Sequence, residues 1–511
     1  MPRAEKKSPP KPLRVLNINF QSIRNKKHLL CNILESSKPD IILGTETWLN
    51  PNIGDAEIFP PDFTIYRNDR KKDDTSKDGG GVLIAINNQY ISSEVEVLAP
   101  PQDCEIIWAK IDIVGSTSLY LCSYYKPKTT DDRSSGGFDI SIRRATQIQN
   151  ASFLIGGDFN LPGIDWKNMQ LKPNCANQAI HTDFLSLLDD TGLTQLVTDP
   201  TRNENTLDLL ITNSSTLFQR LEIMPGISDH DIVFAEMQCT PRKIAQKPRQ
   251  IPLYRKANWD QIKVKLNSTF VSLPDGDQND VNYLWNHFKN TVSECIREFI
   301  PHRNAKSKDG NPWITPKIKR LISTKFRLYK KMKKSGRTED RDKYKLLKSN
   351  TQKLIRQSYW KYIEDVVSPP ISSSGENDYS PMKRFWTYIK HKKANYSGVP
   401  SLKSDGKLIT DPSTKADILN KQFQSVFTPS EHFSDAQLTQ KYNLGLPTFP
   451  PIEDITITVE GVKKLLLNLK PAKAPGPDGI KPKIFERTCN RNSSNTGTHF
   501  PTVSKYWRSP S

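Results

Sequence analysis

Through the first 240 residues, short apolar runs alternate with polar or glycine-rich breaks, a spacing that predicts strands more than long helices. Leu13 to Asn19 predicts a first strand, with the imperfect alternation of a sheet covered on both faces. The chain after Ser22 predicts a helix carrying Leu29, Leu30, Ile33 and Leu34, stopped at Lys38–Pro39–Asp40 because proline cannot extend the hydrogen-bond ladder. Ile41–Ile42–Leu43–Gly44 predicts a second buried strand, with Glu46 just past its end. Further strands follow at 82–86, near 94–98, at 106–113 and at 118–125, close enough together to imply hairpins. Lys71 to Lys77 and residues 129–137 read as polar loops, and 140–148 as a weakly patterned helix. Phe153–Leu154–Ile155 predicts a strand that runs into Gly156–Gly157–Asp158–Phe159–Asn160. Leu207 to Ile211 and the stretch opened by Ser228–Asp229–His230 predict the last two strands.

Beyond 240 the period changes. Helical patterns run through Ile262 to Phe270, Tyr283 to Ile296, Lys317 to Lys334 and onward from Lys343, where Leu347, Leu354, Ile355, Tyr359 and Ile363 share a face. Phe385 to Ile389, Lys415 to Phe427 and Gly461 to Leu469 predict further helices, and Val399 to Lys407 a strand and turn. Lys473–Ala474–Pro475–Gly476–Pro477–Asp478–Gly479–Ile480 predicts a rigid turn. The expected organisation is a basic tail at 1–12, an α/β domain at 13–240, a basic helical connector at 241–365 and a loop at 366–382. A segment at 383–486 and a polar irregular tail at 487–511 follow.

Charge sharpens this division. Residues 1–240 hold 24 Lys plus Arg against 31 Asp plus Glu, a balance of −7, and the remaining residues hold 50 against 24, or +26. A basic second half favours a polyanionic partner, with nucleic acid the default. In the connector, Leu321, Phe326, Leu328 and Tyr329 interleave with Lys and Arg, which suits a phosphate backbone with exposed bases. A helical hairpin packing on the neighbouring domain is the other reading, and one helix can carry both faces. Seven scattered cysteines without a Cys-x-x-Cys pair indicate neither a disulfide scaffold nor a zinc knuckle. No segment has the length and apolarity of a bilayer span, so no membrane partner is expected.

The strand ends carry the chemistry. A phosphodiester is already an anion, so hydroxide attack on it needs charge neutralisation, and a divalent hard cation supplies that. Hard cations take carboxylate and amide oxygens, which points to Glu46 as a ligand and to Asp229 on the metal side. Asp158 suits orienting or deprotonating the attacking water, and Asn160 fixes substrate or Asp158. His230 needs a carboxylate to hold its tautomer, and Asp208 provides a suitable acid. Asn19 and Tyr125 offer hydrogen bonds to phosphoryl oxygens as negative charge builds.

Thr45–Glu46–Thr47–Trp48–Leu49, Gly156 to Asn160, Leu207–Asp208–Leu209 and Ser228–Asp229–His230 together resemble the exonuclease–endonuclease–phosphatase superfamily. More narrowly, residues 13–237 resemble the apurinic-like endonuclease at the N-terminus of non-LTR retrotransposon proteins. Residues 383–486, through Phe423–Gln424–Ser425–Val426–Phe427 and Pro471 to Ile480, resemble the entrance to the reverse transcriptase of the same elements. The resemblance implies a four-layer α/β sandwich of two mixed sheets with outer helices. It implies Mg2+, or Mn2+ in its place, held chiefly by Glu46 with Asp229 near it, Asp158 as the water-activating acid, and a His230–Asp208 dyad at the phosphate. It selects Asn19 over Asn17 and Tyr125 over Tyr124, with Asn17 and Tyr124 as alternatives. It also puts Gln21 where repair enzymes carry an acid near the metal, which weakens a reading as an abasic-site repair enzyme.

The implied function is a metal-dependent DNA endonuclease that nicks one strand and leaves a 3′-hydroxyl to prime reverse transcription. Its expected partners are double-stranded DNA and, through the basic connector, element RNA, and its expected location is the nucleus. Because no paired polymerase carboxylates follow Glu486, the expectation is a truncated chain without polymerase activity. The competing expectations are an inactive nucleic-acid-binding relic of a retrotransposon protein and an abasic-site repair endonuclease of the same fold.

Overall fold

The computed structural model describes residues 11–70, 79–100, 104–115, 118–128, 132–244, 250–271, 281–304, 311–368, 380–393, 399, 402–404, 407–409, 411–427, 437, 440, 458–471, 473–476 and 478–489. Most of the N-terminal tail, the Lys71 to Lys77 loop, residues 369–379 and nearly all of the 487–511 tail lie outside the described residues. The chain forms two compact units. The first comprises residues 1–245 and 310–426, and the second 246–309 and 427–511. The expected 241–365 connector is therefore shared between the units, as is the 383–486 segment.

The first unit is built on two six-stranded sheets. One contains β1 (Leu13–Asn19), β2 (Ile41–Thr45), β3 (Phe63–Asn68), β4 (Val82–Asn87) and two later strands, Phe218–Met224 and Ile232–Met237. The other contains β5 (Ser92–Glu94), β6 (Glu105–Ile111), β7 (Leu119–Tyr125), β8 (Ser152–Asp158), Thr194–Gln195 and Asp208–Thr212. Each sheet has one parallel pair, β1 with β2 and β7 with β8, among antiparallel neighbours. Both are mixed, as the resemblance implies.

Alternation along the strands sends one face of each sheet to a shared interior. Val15, Leu43, Ile84, Ile107, Leu121, Leu154 and Leu210 meet there. The opposite face of the first sheet is covered by α1 (Lys27–Ser37) through Leu30, Ile33 and Leu34. The opposite face of the second is covered by α2 (Asp132–Thr146) and α3 (Gln178–Asp190) through Phe138, Ile142, Phe184 and Leu187. The result is a helix–sheet–sheet–helix sandwich.

Helix α2 corrects one expectation. Residues 132–137 are helical where polarity predicts a loop. The Ser134 hydroxyl lies 2.9 Å from the Tyr124 hydroxyl, and a Cβ on Gly137 would sit 3.0 Å from Cys104 Cβ. A polar and glycine-containing turn is recruited into the helix because it fits closely against the sheet, and tertiary packing overrides propensity.

Helices α4 (Pro316–Ser335) and α5 (Thr338–Val367) also belong to this unit. Thr315 caps α4 by accepting from Ile318 N, Pro316 occupies its first turn, and Gly336 at φ +63 ends it. The pair packs against the sandwich. Asn311 Nδ2 donates to the Cys31 carbonyl at 3.3 Å, Lys319 Nζ pairs with Glu35 at 2.6 Å and Lys330 Nζ with Glu222 at 2.5 Å.

His28 of α1 is buried, with its ring centroid 6.1 Å from that of Tyr359 on α5. Its Nε2 has no hydrogen-bond partner among the described residues. Burial, assisted by the Arg356 charge, pushes its pKa below the ordinary 6.5. The unfolded chain thus binds the proton better, and stability is lost as pH falls from 6.5 toward the folded value. The expected result is a lower thermal midpoint at pH 5.5 than at pH 7.5, with a smaller drop in His28→Phe.

The second unit pairs Gln250–Pro252 with His302–Asn304 and packs Trp259–Val271, Val281–Phe299 and Pro482–Cys489 around Ile262, Leu266, Val292, Cys295, Ile480 and Ile484. Among the described residues no helix is long and apolar enough to cross a membrane.

Candidate active site

Strand register brings the predicted residues to one end of the sandwich. In the second sheet Tyr125 and Asp208 both pair with Asp158, from opposite sides of β8. In the first, Asn19 pairs with Thr45, so Glu46 follows directly beside the end of β1. The two ends meet at Asn19. Its side-chain amide donates to Glu46 Oε1 at 2.8 Å and to Asp158 Oδ2 at 2.9 Å.

The dyad is formed. His230 Nδ1 lies 2.8 Å from Asp208 Oδ2, which leaves Nε2 facing Asp158 Oδ2 at 3.9 Å. Asp208 is held in turn, because Thr201 Oγ1 accepts its backbone N–H at 3.1 Å. Ser228 Oγ donates to the Asn19 carbonyl at 2.7 Å and accepts the His230 N–H at 3.2 Å, tying the last strand's entrance to the first strand. The Asn160 backbone N–H donates to Asp158 Oδ1 at 3.1 Å, and its side chain donates to the Lys126 carbonyl at 2.6 Å.

The two alternatives separate cleanly. Asn17 spends its amide on the carbonyls of Gly157 and Leu209, at 3.1 and 3.0 Å, and bridges the sheets below the site. Tyr124 faces the outer aromatic core, 4.4 Å from the Phe138 ring centroid. Tyr125 faces the site, where burial and the charges of Glu46, Asp158 and Glu105 push its hydroxyl pKa strongly up. Asp229 stands apart from the buried group. It is exposed, and it pairs with Arg202 at 2.6 Å.

Several contributors are not evident from the sequence. Lys26 sits close enough to Asp229 and Glu46 to feel both charges, although burial lowers its pKa overall, and it donates to the carbonyls of Phe20 and Gln21. Arg70 pairs with Glu105 at 2.5 Å and lies 5.8 Å from the Tyr125 ring centroid. Gln21, Ser22, Glu46, Trp48 and Asn160 all have φ between +43° and +70° without being glycine. Such conformations cost of order 1–3 kcal/mol each and gather where geometry is imposed by function. No side-chain pattern announces them.

Electrostatics set the chemistry. Burial raises the Asp158 carboxyl pKa, and the Asp208 charge adds to it against His230. For His230 burial works downward, and the Asp208 hydrogen bond and the neighbouring carboxylates outweigh it, so the net direction is up. Asp158, Asp208 and His230 each place one ligand atom within 4.8 Å of the others. His230 Nδ1 is committed to Asp208, so this trio serves proton handling more readily than metal capture. The oxygen-rich ground lies between Glu46 and Asp158. Both carboxylates accept from the Asn19 amide, and oxygens of this kind are the ligands a hard divalent cation takes.

The two-sheet sandwich, with carboxylates, amides and a His–Asp dyad gathered at its strand ends, resembles the exonuclease–endonuclease–phosphatase fold. Residues 119–234 match the family model described as endonuclease-reverse transcriptase. The chain is 20% identical over 455 residues to the RNA-directed DNA polymerase from mobile element jockey of Drosophila funebris, covering 86% of this chain and 47% of the relative. It thus spans about half the length of that relative. Among solved structures, the endonuclease domain of TRAS1, a telomere-specific non-LTR retrotransposon, is 18% identical, covering 44% of this chain and 98% of that one with a TM-score of 0.36. AP endonuclease LMAP from Leishmania major is 15% identical, covering 45% and 88%, with a TM-score of 0.37. The resemblance to non-LTR retrotransposon proteins is borne out.

Proposed function

We propose that this site is a Mg2+-dependent DNA endonuclease centre that nicks one strand of double-stranded DNA in the nucleus and leaves a 3′-hydroxyl, as used to prime reverse transcription of a retrotransposon. The observation that supports this most is the convergence of Glu46 and Asp158 on the Asn19 amide, with His230 Nε2 of the Asp208-bonded dyad 3.9 Å from Asp158.

Glu46 and Asp158 are the residues that would hold the cation, with Asp229 at its outer side once released from Arg202. The cation would neutralise phosphate charge and lower the pKa of a bound water. The protein's own part is positional. Asp158 accepts a proton from the attacking water, with Asn19 and the Asn160 N–H fixing its carboxylate. His230, kept protonated by Asp208, donates from Nε2 to a phosphoryl oxygen, and Tyr125 donates from a hydroxyl that burial keeps neutral. Lys26 and Arg202 rim the site with positive charge suited to flanking phosphates. Element RNA remains the proposed second partner, on the exposed basic faces of the connector helices.

The test is nicking of supercoiled plasmid by the full chain. Open circles are expected with Mg2+, and neither with EDTA nor from Glu46→Ala. Equal nicking in EDTA, or by a folded Glu46→Ala chain, would sink the proposal.

A further inference from the structure

We infer that helix α4 is a working part of the nuclease and that Tyr329 is a positioning residue for the His230–Asp208 dyad, acting through Asp231. The inference rests on the proposed endonuclease reading for its kinetic arm only.

Asp231 follows His230 directly and sits at the neck of the loop that presents it. Its Oδ1 accepts the Gly226 N–H at 3.4 Å across that neck. The loop is closed tightly, since a Cβ on Gly226 would collide with the His230 carbonyl oxygen. The other oxygen, Oδ2, is taken by α4. The Tyr329 hydroxyl donates to it at 2.6 Å, and Lys333 Nζ lies 3.3 Å away. Tyr329 is not a loose surface contact. It is 2% exposed, with the Tyr344 ring of α5 at 5.4 Å and Lys333 Nζ over its own ring at 5.6 Å.

The connection continues to the dyad. The Asp231 N–H donates to the Thr201 carbonyl at 2.7 Å, and the Thr201 hydroxyl accepts the N–H groups of Leu207 and Asp208, both at 3.1 Å. One buried hydroxyl on α4 therefore fixes a carboxylate whose backbone fixes both halves of the dyad: His230 by chain adjacency, and Asp208 through Thr201. A hydrogen bond to a charged acceptor is stronger than a neutral one, and the donor here is buried. Misplacement of a proton donor by a fraction of an ångström lowers turnover without changing how phosphates flanking the site bind. The apolar and aromatic positions of α4 thus serve the sandwich, and its exposed lysines remain available for other partners.

The test uses the full chain and compares Tyr329→Phe, Asp231→Asn and the double variant. Steady-state plasmid nicking should show kcat lowered about 10-fold by either single change with KM unchanged. The double variant should be no slower than the slower single, because both remove one linkage. Lys319→Ala, which cuts an α4 contact remote from the dyad, should keep kcat. Independently of activity, amide hydrogen exchange over residues 226–231 should quicken in Tyr329→Phe. If the parent chain does not nick but exchange quickens, the endonuclease reading fails and the positioning role stands. If the parent chain nicks and Tyr329→Phe matches it in kcat and in exchange, the positioning role is overturned. A rise in KM alone overturns it as well, because that marks a substrate contact.

Discussion

Asp158→Asn will lower nicking by about 10³-fold while raising the stability of the metal-free protein. The two effects share one cause. The Asp158 carboxyl is 1% exposed, at the end of a central strand, with Asp208 beside it. Burial and that like charge raise its pKa above the ordinary carboxylate value. A group whose folded pKa is raised contributes stability below its unfolded pKa and loses it as pH rises through the folded one. Above a pH of about 8 the native protein therefore carries a carboxylate that the fold disfavours.

Asparagine keeps the shape but can accept from only one of the two donors, Asn19 Nδ2 or the Asn160 N–H, and it cannot take a proton from water. Its thermal midpoint in EDTA at pH 8 should exceed the parent's, and its nicking with Mg2+ should fall to background. A second comparison separates charge from shape. Mg2+ should raise the parent's midpoint and leave that of Asp158→Asn almost unmoved, because only the parent presents the second carboxylate. Equal nicking by the variant would remove Asp158 from the mechanism. A lower midpoint in EDTA would show that the carboxylate is a structural anchor. Active sites are where stability is given up for charge placement, and this position makes that exchange measurable.

What the sequence makes legible follows from period and position. A strand delivers alternate residues to one face, so a polar residue closing an apolar run stands at a sheet edge. Glu46 and Asp158 are readable on that basis, and His230 in the same way at the start of a run. Asn17 and Asn19 are harder, because period 2 places them on the same face. They differ only in depth, and depth is set by pairing. Asn17 lies one pleat further in, between the sheets, where the carbonyls of Gly157 and Leu209 take its amide. Tyr124 and Tyr125 are adjacent, so they must face opposite sides, but which side is interior depends on where α2 packs. That helix is itself obscured by its polar start and two glycines.

The basic connector shows a different limit. Its apolar spacing announces a buried face, whereas composition points toward nucleic acid. Neither says what the face covers. Only the three-dimensional placement of Asp231, Glu222 and Glu35 reveals that the carboxylates facing α4 belong to the sandwich itself. Lys26 and Arg202 escape notice for a similar reason. Single cations in loops carry no pattern, and they matter here because the fold returns them to Asp229.

Gly157→Ala will cost the sandwich about 4 kcal/mol or more and is expected to prevent its accumulation as folded protein. Gly157 occupies the centre of the second sheet, with Tyr124 as its neighbour on the parallel side and Leu209 on the antiparallel side. A Cβ there would sit 1.8 Å from the Tyr124 carbonyl oxygen and 2.8 Å from its carbonyl carbon. Those are backbone atoms held in a ladder, so no rotamer change relieves the collision. The residue's φ of +150° adds a backbone penalty for any L side chain. Its own carbonyl accepts from Asn17, so displacement of this strand would also break the tie between the sheets.

Gly192→Ala isolates the backbone part of the effect. Gly192 has φ +64° and nothing within 4 Å of the point a Cβ would occupy, so its replacement should cost only about 1–2 kcal/mol. Urea unfolding of both variants beside the parent distinguishes the cases. A Gly157→Ala midpoint close to that of Gly192→Ala would mean that the strands can part without losing the fold. A collapse confined to Gly157→Ala would show that the closeness of β7 and β8, which sets Tyr125 beside Asp158, depends on one missing methyl group.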